Sequence, residues 1–166
     1  MEAIKENGTA LFVTTVLKNW NLQLTRVNEL IDSLSDEDLT NEVAPERNTG
    51  IYLLGHLVAV HDGIRPLLGL GDKRYPALEA TFIHEADKSN AEYPSLSVLK
   101  KYWADVNADL WNNFSTISPE DWLSRHTAVT PEVFANEPHR NKINIILNRT
   151  SHLAYHHGQL VFLKKK

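Results

Sequence analysis

Cysteine is absent from the 166 residues, and that one absence removes disulfide frameworks, thiolate metal ligands, CxxC redox chemistry and a cysteine nucleophile together. Any metal held by this chain must sit on His, Asp or Glu. A basic excess is missing too. Seventeen Lys and Arg against 21 Asp and Glu leave a formal charge of -4, the wrong sign for attraction to a phosphate backbone, so no nucleic-acid partner is expected. No apolar run reaches the roughly 20 residues of a membrane span. The longest one near the start, Thr9 to Leu17, is broken by Thr14 and Thr15 and follows Glu2 and Glu6, where a secretory leader would be basic. The expectation is a cytoplasmic protein with no membrane partner. Alternating strand patterns are almost absent as well.

What is present is a globular composition, 42% hydrophobic and 23% charged. A chain of this length buries roughly 70% of its unfolded surface on folding, enough for a core without disulfides or partners. One domain over residues 1–166 is therefore predicted.

The hydrophobic rhythm predicts four long helices. Val13, Leu17, Trp20, Leu24, Val27, Ile31 and Leu34 recur at steps of four and three, so the first helix is read over Thr9 to Leu34. Arg47 to Leu70 is apolar all round, with Gly69 and Gly71 as stops and a kink before Pro66, which predicts a largely buried second helix. Leu96, Leu99, Trp103, Val106, Leu110, Phe114 and Ile117 carry the third, opposite Lys100, Lys101, Asp105, Asn107 and Asp109. Asn141 to Leu163 is the fourth, with Lys164 to Lys166 at the negative end of its dipole. Ser35 and Ser118 each read as an N-cap opening a short acidic turn after the first and third helices, Pro119 taking the first helical position.

Long loops follow the second and third helices, about Gly71 to Ser95 and Ser124 to Arg140. The first is long enough to cross a helix of roughly 30 Å, which lets the second and third helices run parallel. The fold class expected is all-α, a four-helix bundle with up-down-down-up topology.

His152 and His156 stand four apart on the fourth helix, so their rings rise from neighbouring turns of one face. Ile145 and Leu163 fall on the same line, which puts the pair on the core-facing stripe. His157, turned by about 100°, belongs to the outer face. His56 on the second helix sits among Tyr52, Leu53, Ala59, Val60, Gly63 and Leu67 at helical spacings and also points inward, whereas His61 lies on another side. Three neutral imidazoles, His56, His152 and His156, form the donor pattern of a catalytic divalent-metal site with an open position. Core packing is the competing reading, because a lone inward His is usually a hydrogen-bonded core residue and His pairs four apart arise by chance on many helices. Gln159 and Asn148, each one turn from the pair, are either partners of the site or ordinary helix residues.

Other chemistries lack their residues. No Glu-x-x-His of the di-metal carboxylate kind occurs, His84-Glu85 has no following His, no Gly-x-Ser-x-Gly exists, and Gly69-Leu70-Gly71-Asp72-Lys73 has the wrong spacing for a phosphate loop. His84, His126 and His139 are expected in solvent. Trp103, Trp111 and Trp122 are expected to serve core and cap packing, and Tyr52 and Tyr155 are either pocket groups or, as is more usual, buried packing tyrosines.

The phrase Asn48-Thr49-Gly50-Ile51-Tyr52-Leu53-Leu54-Gly55-His56-Leu57, followed by His152-xxx-His156-His157-Gly158-Gln159-Leu160, resembles the DinB/YfiT-like superfamily of metal-dependent four-helix-bundle proteins. The resemblance implies an up-down-down-up bundle with a divalent metal, commonly zinc or nickel, on His56, His152 and His156. Many relatives carry Arg where His157 stands, so this position departs from the pattern. Better-characterised relatives are thiol-dependent transferases and isomerases, and homodimers are common among them. The implied function is activation of a low-molecular-weight thiol or water for transfer or hydrolysis on a small-molecule substrate, consistent with the Lewis acidity of a cation on three neutral ligands. The alternative is a non-catalytic bundle, metal-stabilised or metal-free, that acts as a binding or scaffold protein.

Overall fold

A computed structural model describes residues 2–89 and 92–164, with side chains from residue 8 onward. All regular structure among these residues is helical. Four elements are long or composite. They are α1 (Glu2–Ser33), α3 (Gly50–Asp62) continued by α4 (Ile64–Leu68), α5 (Leu96–Phe114) and α8 (Lys142–Leu160), which ends in a 3-10 turn at Val161–Leu163. Short helices α2 (Asp36–Thr40), α6 (Pro119–Trp122) and α7 (Pro131–Asn136) lie in the connections.

Caps account for most of the boundaries. Thr49 opens α3, its hydroxyl accepting from the Tyr52 amide at 3.3 Å, so Arg47 and Asn48 stay outside the helix. Asn141 opens α8 by accepting from the Asn144 amide at 3.0 Å. Ser35 and Asp38 form a reciprocal capping box, and Ser118 accepts from the Asp121 amide behind Pro119, as the two short acidic turns require. α1 begins at Glu2, earlier than Thr9, and runs through Gly8, where the absence of a side chain costs only about 1 kcal/mol relative to Ala. The second helix breaks at Gly63. Pro66, three residues on, has no N–H to donate and its ring crowds the carbonyl one turn back. Gly69 then closes α4 at a φ of 76°, in the left-handed region that favours glycine. α5 stops at Phe114, short of Ile117. At the C-terminal end, Lys165 and Lys166 lie outside the described residues.

α1 packs chiefly on α8 and α3 on α5, with α3 also touching α8. One hydrophobic core joins them through Trp20, Leu53, Leu57, Leu99, Leu110 and Leu153. The interior is not wholly apolar. His61 is fully buried between Trp20 and Trp103, each ring centroid 4.7 Å away, and its Nδ1 lies 2.7 Å from Asn107 Oδ1.

The long connection after α4 is pinned along its course. Asp62 accepts from the amides of Arg74 and Tyr75 at 2.9 and 2.7 Å, and Tyr75 stacks on Tyr102 at 3.8 Å. A π-helical turn at Ala80–His84 drives Phe82, fully buried, against α3 beside Gly55. Asp87 then accepts from the Thr49 amide at 2.5 Å and from Tyr93 Oη at 2.7 Å.

Several placements correct the sequence expectations. His126 is buried, because residues 126–129 fold onto the end of α4, where the Thr127 amide donates to the Leu67 carbonyl. Tyr155 is 64% exposed and so is not a buried packing tyrosine, whereas Trp103, Trp122 and Tyr52 are interior and Trp111, partly exposed, packs its ring edge against Phe114.

Candidate metal centre

His56 leaves α3 and His152 and His156 leave α8 toward one another. His56 Nε2 lies 3.1 Å from His152 Nε2, which lies 3.0 Å from His156 Nε2. One ligand atom from each ring falls within 4.8 Å of the others. Four-residue spacing on α8 brings two of the rings together, and the meeting of α3 with α8 supplies the third.

The partners of the other ring nitrogens determine what these three atoms can do. His56 Nδ1 is 2.7 Å from the Phe82 carbonyl oxygen, which can only accept, so His56 carries its proton on Nδ1 and turns a lone pair inward from Nε2. His156 Nδ1 is 2.7 Å from Gln159 Oε1 and adopts the same tautomer. His152 Nε2, between them, can donate to only one of two inward lone pairs, and its Nδ1 is buried without a partner. Three nitrogens thus crowd around one point with too few protons to satisfy them.

Burial pushes all three imidazoles below the ordinary histidine value, His152 furthest, to about 4. The neighbouring histidines and the Arg149 charge push His152 the same way. All three are neutral at pH 7, the form that binds metals. Donors 3.0 and 3.1 Å apart are within a few tenths of the roughly 3.3 Å edge that ~2.0–2.1 Å metal–nitrogen bonds set in a tetrahedral site. The donor set therefore fits a divalent ion.

The remaining sequence candidates separate cleanly. Gln159 touches the site through His156. Asn148 does not: it is exposed and donates to the Asn144 carbonyl of its own helix. His157 is half-buried against α1, its Nδ1 3.1 Å from Gln23 Nε2, and does not face solvent as its position on the helical wheel predicts. Tyr52 donates its hydroxyl to the Glu85 carbonyl at 2.7 Å and serves packing. His84 and His139 are exposed, as expected.

A cleft of about 520 Å³ opens beside the cluster, with His56 and His152 in its wall. Only the first long connection reaches it, through Lys73, Glu79 and Ile83; the segment 124–140 contributes nothing to the lining. Sequence reasoning passed over one residue here. Arg149, one turn before His152, also lines the cleft, and its Nε is buried without an acceptor.

The sequence pattern of the DinB superfamily matches residues 20–160, a span that includes all three histidines. The chain belongs to the DinB superfamily. No curated protein matches it. No helix among the described residues is long and apolar enough to cross a membrane.

Proposed function

We propose that this member of the DinB superfamily holds a divalent metal ion on His56, His152 and His156 and uses it to activate a low-molecular-weight thiol or water for transfer or hydrolysis on a small substrate. The single observation that carries the proposal is the inward convergence of three imidazole nitrogens, two of them fixed as lone-pair donors by Phe82 and Gln159. Within the same reading, residues 1–166 form one DinB-like domain, an up-down-down-up four-helix bundle. The α1–α8 and α3–α5 packing and the long connection between α4 and α5 support that path. Zinc or nickel is the metal that the family resemblance implies, and an all-imidazole donor set suits both. A cytoplasmic homodimer completes the proposal.

A divalent ion on three neutral ligands supplies Lewis acidity, which lowers the pKa of a thiol or water presented to it. The protein's own contribution is positional. Phe82 and Gln159 hold two rings in the ligating tautomer, so His56 and His156 have no proton to give up before metal enters, and only the proton on His152 Nε2 has to move. Ala59, Val60 and Ile83 give the cleft an apolar wall that limits water around the reacting group.

Cobalt(II)-substituted protein titrated with several small thiols tests the function. A thiolate charge-transfer band, together with metal-dependent turnover of small electrophiles that is lost in His152→Ala, is the expected result. Turnover that persists after chelation, or a cobalt spectrum indifferent to every thiol combined with no metal-dependent turnover of any electrophile, would overturn it.

A further inference from the structure

The geometry points to Arg149 as the recognition site for a carboxylate on the small molecule that occupies the cleft, which makes the substrate class a compact monocarboxylate with an apolar stem. This rests on the reading of the cleft as the substrate site and adds to it the charge of what binds there.

Arg149 projects from α8 three residues before His152, about 4.5 Å lower along the helix axis. Both side chains line the same cleft. The guanidinium is only partly exposed, and its Nε–H is shut off from solvent with no acceptor. Burial alone perturbs it, lowering its affinity for its proton; no carboxylate offsets that effect among the described residues. A buried charged donor with nothing to donate to is destabilising, and a site that tolerates one commonly fills it with a ligand. Its neighbours supply no substitute, since His56 is engaged by the Phe82 carbonyl and His152 by the other two imidazoles. Glu79, the acid in the lining, is engaged by Lys73 at 2.5 Å.

That pairing also decides between anions. With Lys73 neutralised by Glu79, Arg149 is the one cationic side chain of the lining left without an anionic partner, and a singly charged carboxylate matches it one to one, leaving the charge of a bound divalent ion to the thiolate or hydroxide that ion would carry. A planar guanidinium fork meets the two oxygens of a carboxylate in a bidentate pair. Ala59, Val60, Leu67 and Ile83 leave room for an apolar stem between that carboxylate and the three histidines.

The test follows the Arg149 Nε–H resonance of the full-length, 15N-labelled protein, assigned by its loss in Arg149→Gln. Propionate, propylammonium and methyl phosphate are titrated in turn at constant ionic strength. Propionate should move the resonance saturably, and backbone amides of Val60 and Ile83 should report binding weakened about tenfold in Arg149→Gln and less in Arg149→Lys, as loss of a charge-assisted pair requires. A resonance indifferent to propionate, equal propionate affinity in wild type and Arg149→Gln, or tighter binding of methyl phosphate would overturn the assignment. No added metal is needed, so failure here is distinguishable from failure of the three-histidine reading, which metal content decides.

Discussion

His56 Nδ1 and the Phe82 carbonyl oxygen lie 2.7 Å apart, and through that contact the π turn at Ala80–His84 sets the tautomer of a ring on α3. The contact depends on Gly55. A Cβ at this position would overlap the Phe82 ring, which is fully buried, so the ring would have to shift within the core. Gly55→Ala should therefore destabilise the protein by about 1–3 kcal/mol, the usual cost of overpacking. It should also weaken zinc binding at least about tenfold by displacing the carbonyl that orients His56. Urea unfolding and zinc titration of the variant check both outcomes, and unchanged zinc affinity would disconnect the π turn from the site.

Gln159 does the same for His156 from within α8, its Oε1 2.7 Å from Nδ1. Gln159→Leu keeps the side-chain bulk and removes the acceptor. Zinc affinity should fall about 10- to 100-fold while the helical circular dichroism stays at the wild-type value.

The three histidines were legible in the sequence because each was placed by helical period, a local property, and the period survives in α3 and α8. The caps at Ser35 and Ser118 were legible for the same reason. Features created by tertiary contact were not. The π turn has five residues and no period of its own, and is held by Phe82 against Gly55. His126 is buried only because its segment folds onto α4. The rotation of α8 against α1 covers His157 with Gln23 and leaves Tyr155 exposed, a distinction that wheel geometry alone does not make. In sequence Arg149 is indistinguishable from any helical arginine, because what sets it apart is burial with no offsetting carboxylate, a tertiary property.

Stability should fall in acid with a contribution traceable to His61. Burial lowers its pKa from 6.5 to about 3, although Asn107 partly opposes the shift. Between those values the unfolded chain binds the proton and the folded one does not. Stability is therefore full above pH 6.5 and is lost as pH falls toward 3, by up to about 1.4 kcal/mol per pH unit. His56, His126, His152 and His156, also shifted down by burial, act in the same sense. Urea midpoints from pH 7 to pH 4 should decline less steeply in His61→Leu, whatever its stability at neutral pH; equal slopes would contradict the assignment.

Metal should stabilise the fold through the same three rings. Zinc at 100 times its Kd is expected to add about 2.7 kcal/mol, seen as a rise in Tm that His152→Ala abolishes and excess chelator reverses. A zinc-dependent Tm shift retained in His152→Ala would move the metal elsewhere.

Metal content, measured by elemental analysis on protein purified without an affinity tag, tests the central claim most directly. One equivalent of a divalent metal per wild-type chain, with near-complete loss in each of His56→Ala, His152→Ala and His156→Ala, is the predicted result. Equal metal content in wild type and the three variants, or a wild-type chain that takes up none when zinc or nickel is offered, would contradict it.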